Sequence, residues 1–127
     1  MLGFLNKLLG GSKSEKDVKK IQPFVGQINQ FFKDYETLSN DALRGKTAEF
    51  RQRLAEGLAD INQQIADKKA EAEGLAADAL SEKDAIYQQV DVLLKDRNVE
   101  LERLLMAILP EAFANCREAA RRALGLR

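Results

Sequence analysis

Two stretches of equal length, 47–73 and 82–108, constrain this chain more than anything else in it. Each is 27 residues long and carries apolar residues at spacings of three and four, close to a heptad seam. The first holds Phe50, Leu54, Leu58, Ile61, Ile65 and Ala72, and Leu75 extends it; the second holds Ile86, Val90, Leu93, Leu101, Leu104 and Ile108, interrupted by Arg97. At 1.5 Å per residue each arm would reach about 40 Å. Between them Gly74 to Leu80 reads as a turn, and Ser81 with Asp84 forms a capping-box pattern that opens the second arm. Equal arms around one turn predict a long antiparallel helical hairpin. Gly57 inside the first arm costs roughly 1 kcal/mol relative to Ala, so a local bend is expected there. Gln63, Gln64, Lys68 and Lys69 read as a solvated outer face.

The flanking segments are helical as well. Ser14 with Asp17 marks a helix start, followed by a 3.6-period stripe of Val18, Ile21, Val25, Ile28, Phe31 and Phe32. Pro23 lies inside that stripe and predicts a kink or break around Gln22, since a straight helix through it would cost roughly 3 kcal/mol. Ser39 is a second N-cap candidate for a short helix ending at Gly45, with Thr47 capping the next. Gly45-Lys46-Thr47 is not a phosphate loop: position 40 is Asn where that motif needs Gly, and no strand precedes it. Toward the end of the chain, Pro110 suits the first turn of a new helix and Glu111 favours the positive end of its dipole. Phe113, Cys116 or Arg117, Ala120 and Leu124 continue it at helical spacing, and Gly125 fits a stop. With few β-branched residues and no alternating segment, the expected class is all-α: an N-terminal amphipathic helix, a kinked helix, the hairpin and a C-terminal helix.

Twenty basic and twenty acidic residues leave no net charge, so bulk electrostatics give no case for nucleic acid. The chain has no His and one Cys, which excludes a metal site of the usual nitrogen or sulfur type and an internal disulfide. Cys116 on an Ala-rich face reads as a small buried hydrophobe rather than a nucleophile, and no catalytic grouping is visible. No apolar run approaches the roughly 20 residues that span a bilayer, and the start is a poor signal peptide, so the expectation is cytoplasmic. Residues 1–13 form an amphipathic terminus and linker. Leu2, Phe4, Leu5, Leu8 and Leu9, with Lys7 and Lys13, suit either a frayed end or an interfacial helix drawn to anionic lipid.

Two blocks carry a family resemblance: LSNDALRGKTAEFRQRL at 38–54, and LPEAFA at 109–114 with Arg117, Glu118, Ala119, Arg122 and Gly125 to Arg127. In that order they resemble the N-terminal region of the SecA family, the ATP-driven motors of bacterial preprotein translocation. The resemblance implies a parent that uses ATP and magnesium, with no cofactor in this chain, which stops before the family's adenine-contacting segment and phosphate loop. On this reading the 127 residues alone are no enzyme, and Leu126 and Arg127 at most edge a nucleotide site. It further implies that residues 14–127 are a helical N-terminal region with 58–108 as a hairpin insertion. The seven terminal residues named above would contact membrane and channel. Implied partners are the SecYEG channel, anionic lipid and preproteins, with a homodimer open and peripheral association with the inner face of the bacterial cell membrane. Arg117, Arg121 and Arg122 are expected to face an acidic surface of the motor. A self-standing helical adaptor or coiled-coil scaffold is the competing reading.

Overall fold

In the computed structural model, residues 4–5 and 13–125 are described. Among them there are three long helices and no strand: α1 is Lys13–Tyr35, α2 is Asn40–Glu73 and α3 is Leu80–Leu124. The all-α expectation holds. The chain divides into two compact units, Met1–Leu43 with Leu109–Arg127, and Arg44–Ile108.

The Arg44–Ile108 unit is the hairpin. As residue numbers rise along α2 they fall along α3: Gly57 faces Leu104, and Asn62 Oδ1 accepts a 2.7 Å hydrogen bond from Arg97 Nε. The residues that meet in this antiparallel register are those of the two apolar stripes. Leu58, Ile65, Ala72, Ile86, Val90 and Ile108 are buried, while Leu54, Ile61, Leu93, Leu101 and Leu104 are half-buried beside them. Arg97, which interrupts the stripe, finds a polar partner in Asn62 and so costs the seam little. Gly57 marks a close approach within a continuous helix: a Cβ there would lie 2.7 Å from Leu104 Cδ1.

The other unit contains α1, the first turn of α2 and the last sixteen residues of α3. Its core is Tyr35, Leu43 and Ala114, with Ile28, Phe31, Phe32 and Leu38 packed against it. The join between α1 and α2 is tight. Leu38 N–H donates to Tyr35 O at 3.1 Å, and Ser39 Oγ accepts from Ala42 N–H at 3.1 Å, so Ser39 is the expected cap.

Four expected boundaries are corrected. Gly45 does not end a helix and Thr47 does not cap one, because α2 runs unbroken from Asn40. A glycine penalty of about 1 kcal/mol cannot stop a helix that Ser39 caps and that has buried Leu43 on one side and half-buried Phe50 on the other. Pro110 does not open a separate C-terminal helix; it lies buried inside α3. Ile108 before it and Ala114 after it are both buried, and this anchoring offsets the proline cost. Pro23 likewise lies inside α1, so of the kink or break expected around Gln22 the break does not occur. Finally, α1 and α3 begin at Lys13 and Leu80, so Ser14 and Ser81 lie within first turns rather than at caps.

Candidate functional site

The most constrained cluster of polar side chains lies on the inward face of α3 in the unit built from Met1–Leu43 and Leu109–Arg127. Glu118, Arg121 and Arg122 are spaced three and four apart, so one turn of helix brings both guanidinium groups to one carboxylate. Glu118 is 0% exposed. Arg121 Nε donates to Glu118 Oε2 at 2.8 Å and its Nη2 to Oε1 at 2.6 Å, a two-pronged contact, while Arg122 Nε donates to Oε1 at 2.7 Å. The Arg121 hydrogen bonds outweigh the effect of burial and, with Arg122, hold the Glu118 carboxyl at about 2, well below its ordinary value.

The remaining donors of Arg122 reach the join between α1 and α2. Its Nη2 donates to the carbonyl oxygens of Leu38 at 2.6 Å and Tyr35 at 3.1 Å, and its Nη1 to Asn40 Oδ1 at 2.9 Å. Tyr35 is the last residue of α1 and Leu38 lies just beyond it, where spare acceptor capacity and the negative end of the helix dipole both favour a cation. Arg122 therefore caps α1 from α3. Two further contacts extend the staple. Tyr35 Oη donates to Glu111 Oε2 at 3.1 Å; Arg117 lies 4.0 Å over the Phe32 ring and donates from Nη1 to Asn29 Oδ1 at 3.0 Å.

Chemically, this arrangement binds segments together. The carboxylate is ionised and fully occupied by cations, which suits neither proton transfer nor nucleophilic attack. Arg117, Arg121 and Arg122, expected to face an acidic surface of the motor, direct donors to this unit's own side chains and carbonyls, where a buried Glu118 and the end of α1 both favour cations. The i, i+3, i+4 spacing of Glu118, Arg121 and Arg122 was a visible signal for this cluster, though not for the carbonyls it reaches.

Phe4, Leu5 and Lys13 are exposed, whereas Leu2, Lys7, Leu8, Leu9, Leu126 and Arg127 lie outside the described residues. Cys116 is exposed, not the buried hydrophobe expected, because α3 turns Ala114 and Glu118 inward. Among the described residues no group of three or more His, Cys, Asp or Glu could hold a metal ion. The hairpin unit has an open groove of about 570 Å³ lined by Gln64, Asp67, Lys68, Glu71, Gln89, Val92 and Leu93, in which Lys68 and Glu71 pair with each other at 3.1 Å.

A family model described as the SecA DEAD-like domain matches residues 5–127. The chain belongs to the SecA family. Its curated SecA relatives are similar over nearly all of it. A protein translocase subunit SecA from Chloroherpeton thalassium is 38% identical over 98% of this chain and 12% of its own length. Proteins of the same name from Christiangramia forsetii and Prosthecochloris aestuarii are 41% and 39% identical, over 95% and 99% of this chain. The chain spans 11–12% of the length of these SecA proteins. No solved structure matches it.

Proposed function

We propose that this chain is the N-terminal helical part of a SecA-type translocase subunit. The whole of that subunit would couple ATP hydrolysis to the movement of preproteins through the SecYEG channel. The observation that carries this reading is the similarity of nearly the whole chain to proteins named protein translocase subunit SecA, set against the small share of their length that it spans. ATP and magnesium would then be held by other parts of the protein, with Leu126 and Arg127 at the border of the nucleotide site. Residues 14–127 would form the helical region with 58–108 as its hairpin insertion, and the arginine staple would keep α1 and the start of α2 in register with α3.

Residues Leu2, Phe4, Leu5, Lys7, Leu8, Leu9 and Lys13 would meet the channel and anionic lipid at the inner face of the membrane. Support comes from α1 just beyond them. Its exposed Val18, Ile21 and Val25 share a face, and Lys16, Lys19 and Lys20 lie on the opposite half, an amphipathic distribution. Among the described residues no helix is long and apolar enough to cross a membrane. A self-standing adaptor is the weaker reading, since the similarity runs from end to end of the chain rather than through one helical segment.

The test is a graft. Residues 1–127 replace the matched stretch of the Chloroherpeton thalassium SecA, and preprotein-stimulated ATPase is measured on channel-containing membranes. Retained stimulation is expected, together with weakened binding to anionic vesicles once residues 1–13 are removed. A correctly folded graft without stimulation would overturn the translocase reading; unchanged vesicle binding would overturn the lipid role.

A further inference from the structure

The hairpin carries a second apolar row, on its back. In α3, Val92, Val99 and Met106 are seven residues apart and 57%, 70% and 50% exposed. Seven residues is nearly two full turns, so the three stay within about 20° of one line. That line runs on the side of α3 turned away from buried Ile86, Val90 and Ile108. Exposed apolar residues scattered singly are ordinary, but a heptad row behind a helix already packed on its front has the form of a coiled-coil position. Charges flank the row. Lys95 and Glu102 lie along one edge, Asp96 and Arg103 along the other, all four exposed. Among the described residues, Lys95, Asp96 and Glu102 have no ion-pair partner. Arg103 donates from Nε to Glu100 of its own helix at 3.0 Å, with its side chain still 64% exposed.

We propose that this back of α3, from Val92 to Met106, pairs antiparallel with the same face of a second copy of the chain. The inference concerns the hairpin unit alone and does not depend on the translocase reading. The order of the flanking charges selects the occupant. A two-fold axis at Val99, perpendicular to both helices, sets each edge against its own copy running the other way. Val99 then meets Val99, and Val92 meets Met106. Lys95 comes within one residue, about 1.5 Å along the axis, of the level of Glu102 of the second copy, and Asp96 equally near the level of its Arg103. Four attractive pairs result, two on each edge. Sliding the pair by one heptad would instead bring Lys95 beside Lys95 and Asp96 beside Asp96, so the charges fix the register as well. A parallel pair would also match charges, Lys95 with Asp96 and Glu102 with Arg103, but would set the two helix dipoles side by side in the same sense. A lipid surface is the poorer occupant, since Asp96 and Glu102 border the row and anionic headgroups repel them.

The contact is short, about 21 Å by 10 Å or roughly 210 Å² per copy, so the pairing is transient and the experiment traps it. In the 127-residue chain the single cysteine is first removed (Cys116→Ser), and one new cysteine is introduced as Val99→Cys, Val92→Cys or Met106→Cys. All of these positions are exposed, which leaves the hairpin seam intact. Under mild oxidation Val99→Cys is expected to form a disulfide-linked dimer roughly fivefold faster than either of the other two. A mixture of the Val92→Cys and Met106→Cys chains should link as fast as Val99→Cys does to itself. Equal rates for the three single variants would mean a parallel pair or random collision, and either overturns the proposal. The charges are tested in the Val99→Cys chain. Adding Lys95→Glu should slow linking roughly fivefold, and adding Glu102→Lys as well should restore it, because the signs on that edge are then exchanged together. A rate indifferent to Lys95→Glu would overturn the pairing, and so would a slowed rate that Glu102→Lys leaves unrestored.

Discussion

Taking the negative charge from Glu118 would leave two guanidinium groups side by side without their counterion and one end of the α1 cap unsupported. Glu118→Gln is therefore expected to lower the stability of the chain by about 2 kcal/mol in urea unfolding at neutral pH, less than the roughly 3–5 kcal/mol of a fully buried broken pair because Arg121 and Arg122 keep some contact with water. The pH dependence has a definite sign. The carboxyl titrates at about 2 in the folded chain and near 4.5 when free, so its contribution is fully present above 4.5 and is lost as pH falls from there through 2. Wild-type stability should drop across that window, and Glu118→Gln should flatten the drop. Chemical unfolding at pH 5, 4, 3 and 2 checks both. At this scale hydropathy misleads, because Phe113, Cys116, Ala120 and Leu124 have the spacing of a core stripe yet face outward. The inward side is fixed by ion pairing within one helical turn and by carbonyls 84 and 87 residues away, and no local window contains the carbonyls.

At the scale of elements, the two interior glycines of α2 are predicted to behave differently. Gly45 has nothing within 4 Å of a would-be Cβ, so Gly45→Ala should stabilise the chain by about 1 kcal/mol through helix propensity alone. At Gly57 the same gain is opposed by the methyl groups of Leu104 at 2.7 and 2.9 Å, which must move. Gly57→Ala should then fall well short of Gly45→Ala, and Gly57→Val should destabilise by about 1–3 kcal/mol. Urea midpoints of the three variants test the contrast, and a Gly57→Ala gain equal to that of Gly45→Ala would mean the helices are not this close. The hairpin was legible because seven-residue spacing and a single turn both report on packing directly. Gly45 and Pro110 were misread because breaker residues report on local cost, which anchoring on both sides of each residue overrides.

For the whole molecule, the division into two units predicts separable responses. Amide hydrogen exchange in Glu118→Gln should quicken in α1 and in residues 109–124, while amides of the hairpin seam around Leu58, Ile65 and Val90 keep their protection. Uniform acceleration across 44–108 would show that the chain unfolds as one piece. The all-α class and the hairpin arms were readable because they depend on periodicity; the composition of each unit was not, since one of them joins the two ends of the chain.

That joining has a consequence for how the protein is made. The carbonyl of Tyr35 waits for the guanidinium of Arg122, which is 87 residues further along. At 5–20 residues per second a ribosome needs roughly 4 to 17 s to cover that distance. During that interval the end of α1 and the start of α2 have only their local caps, Leu38 N–H on Tyr35 O and Ser39 Oγ on Ala42 N–H, and Phe31, Phe32 and Tyr35 have no α3 to pack against. The earliest of the three described helices to emerge is therefore among the last to be locked.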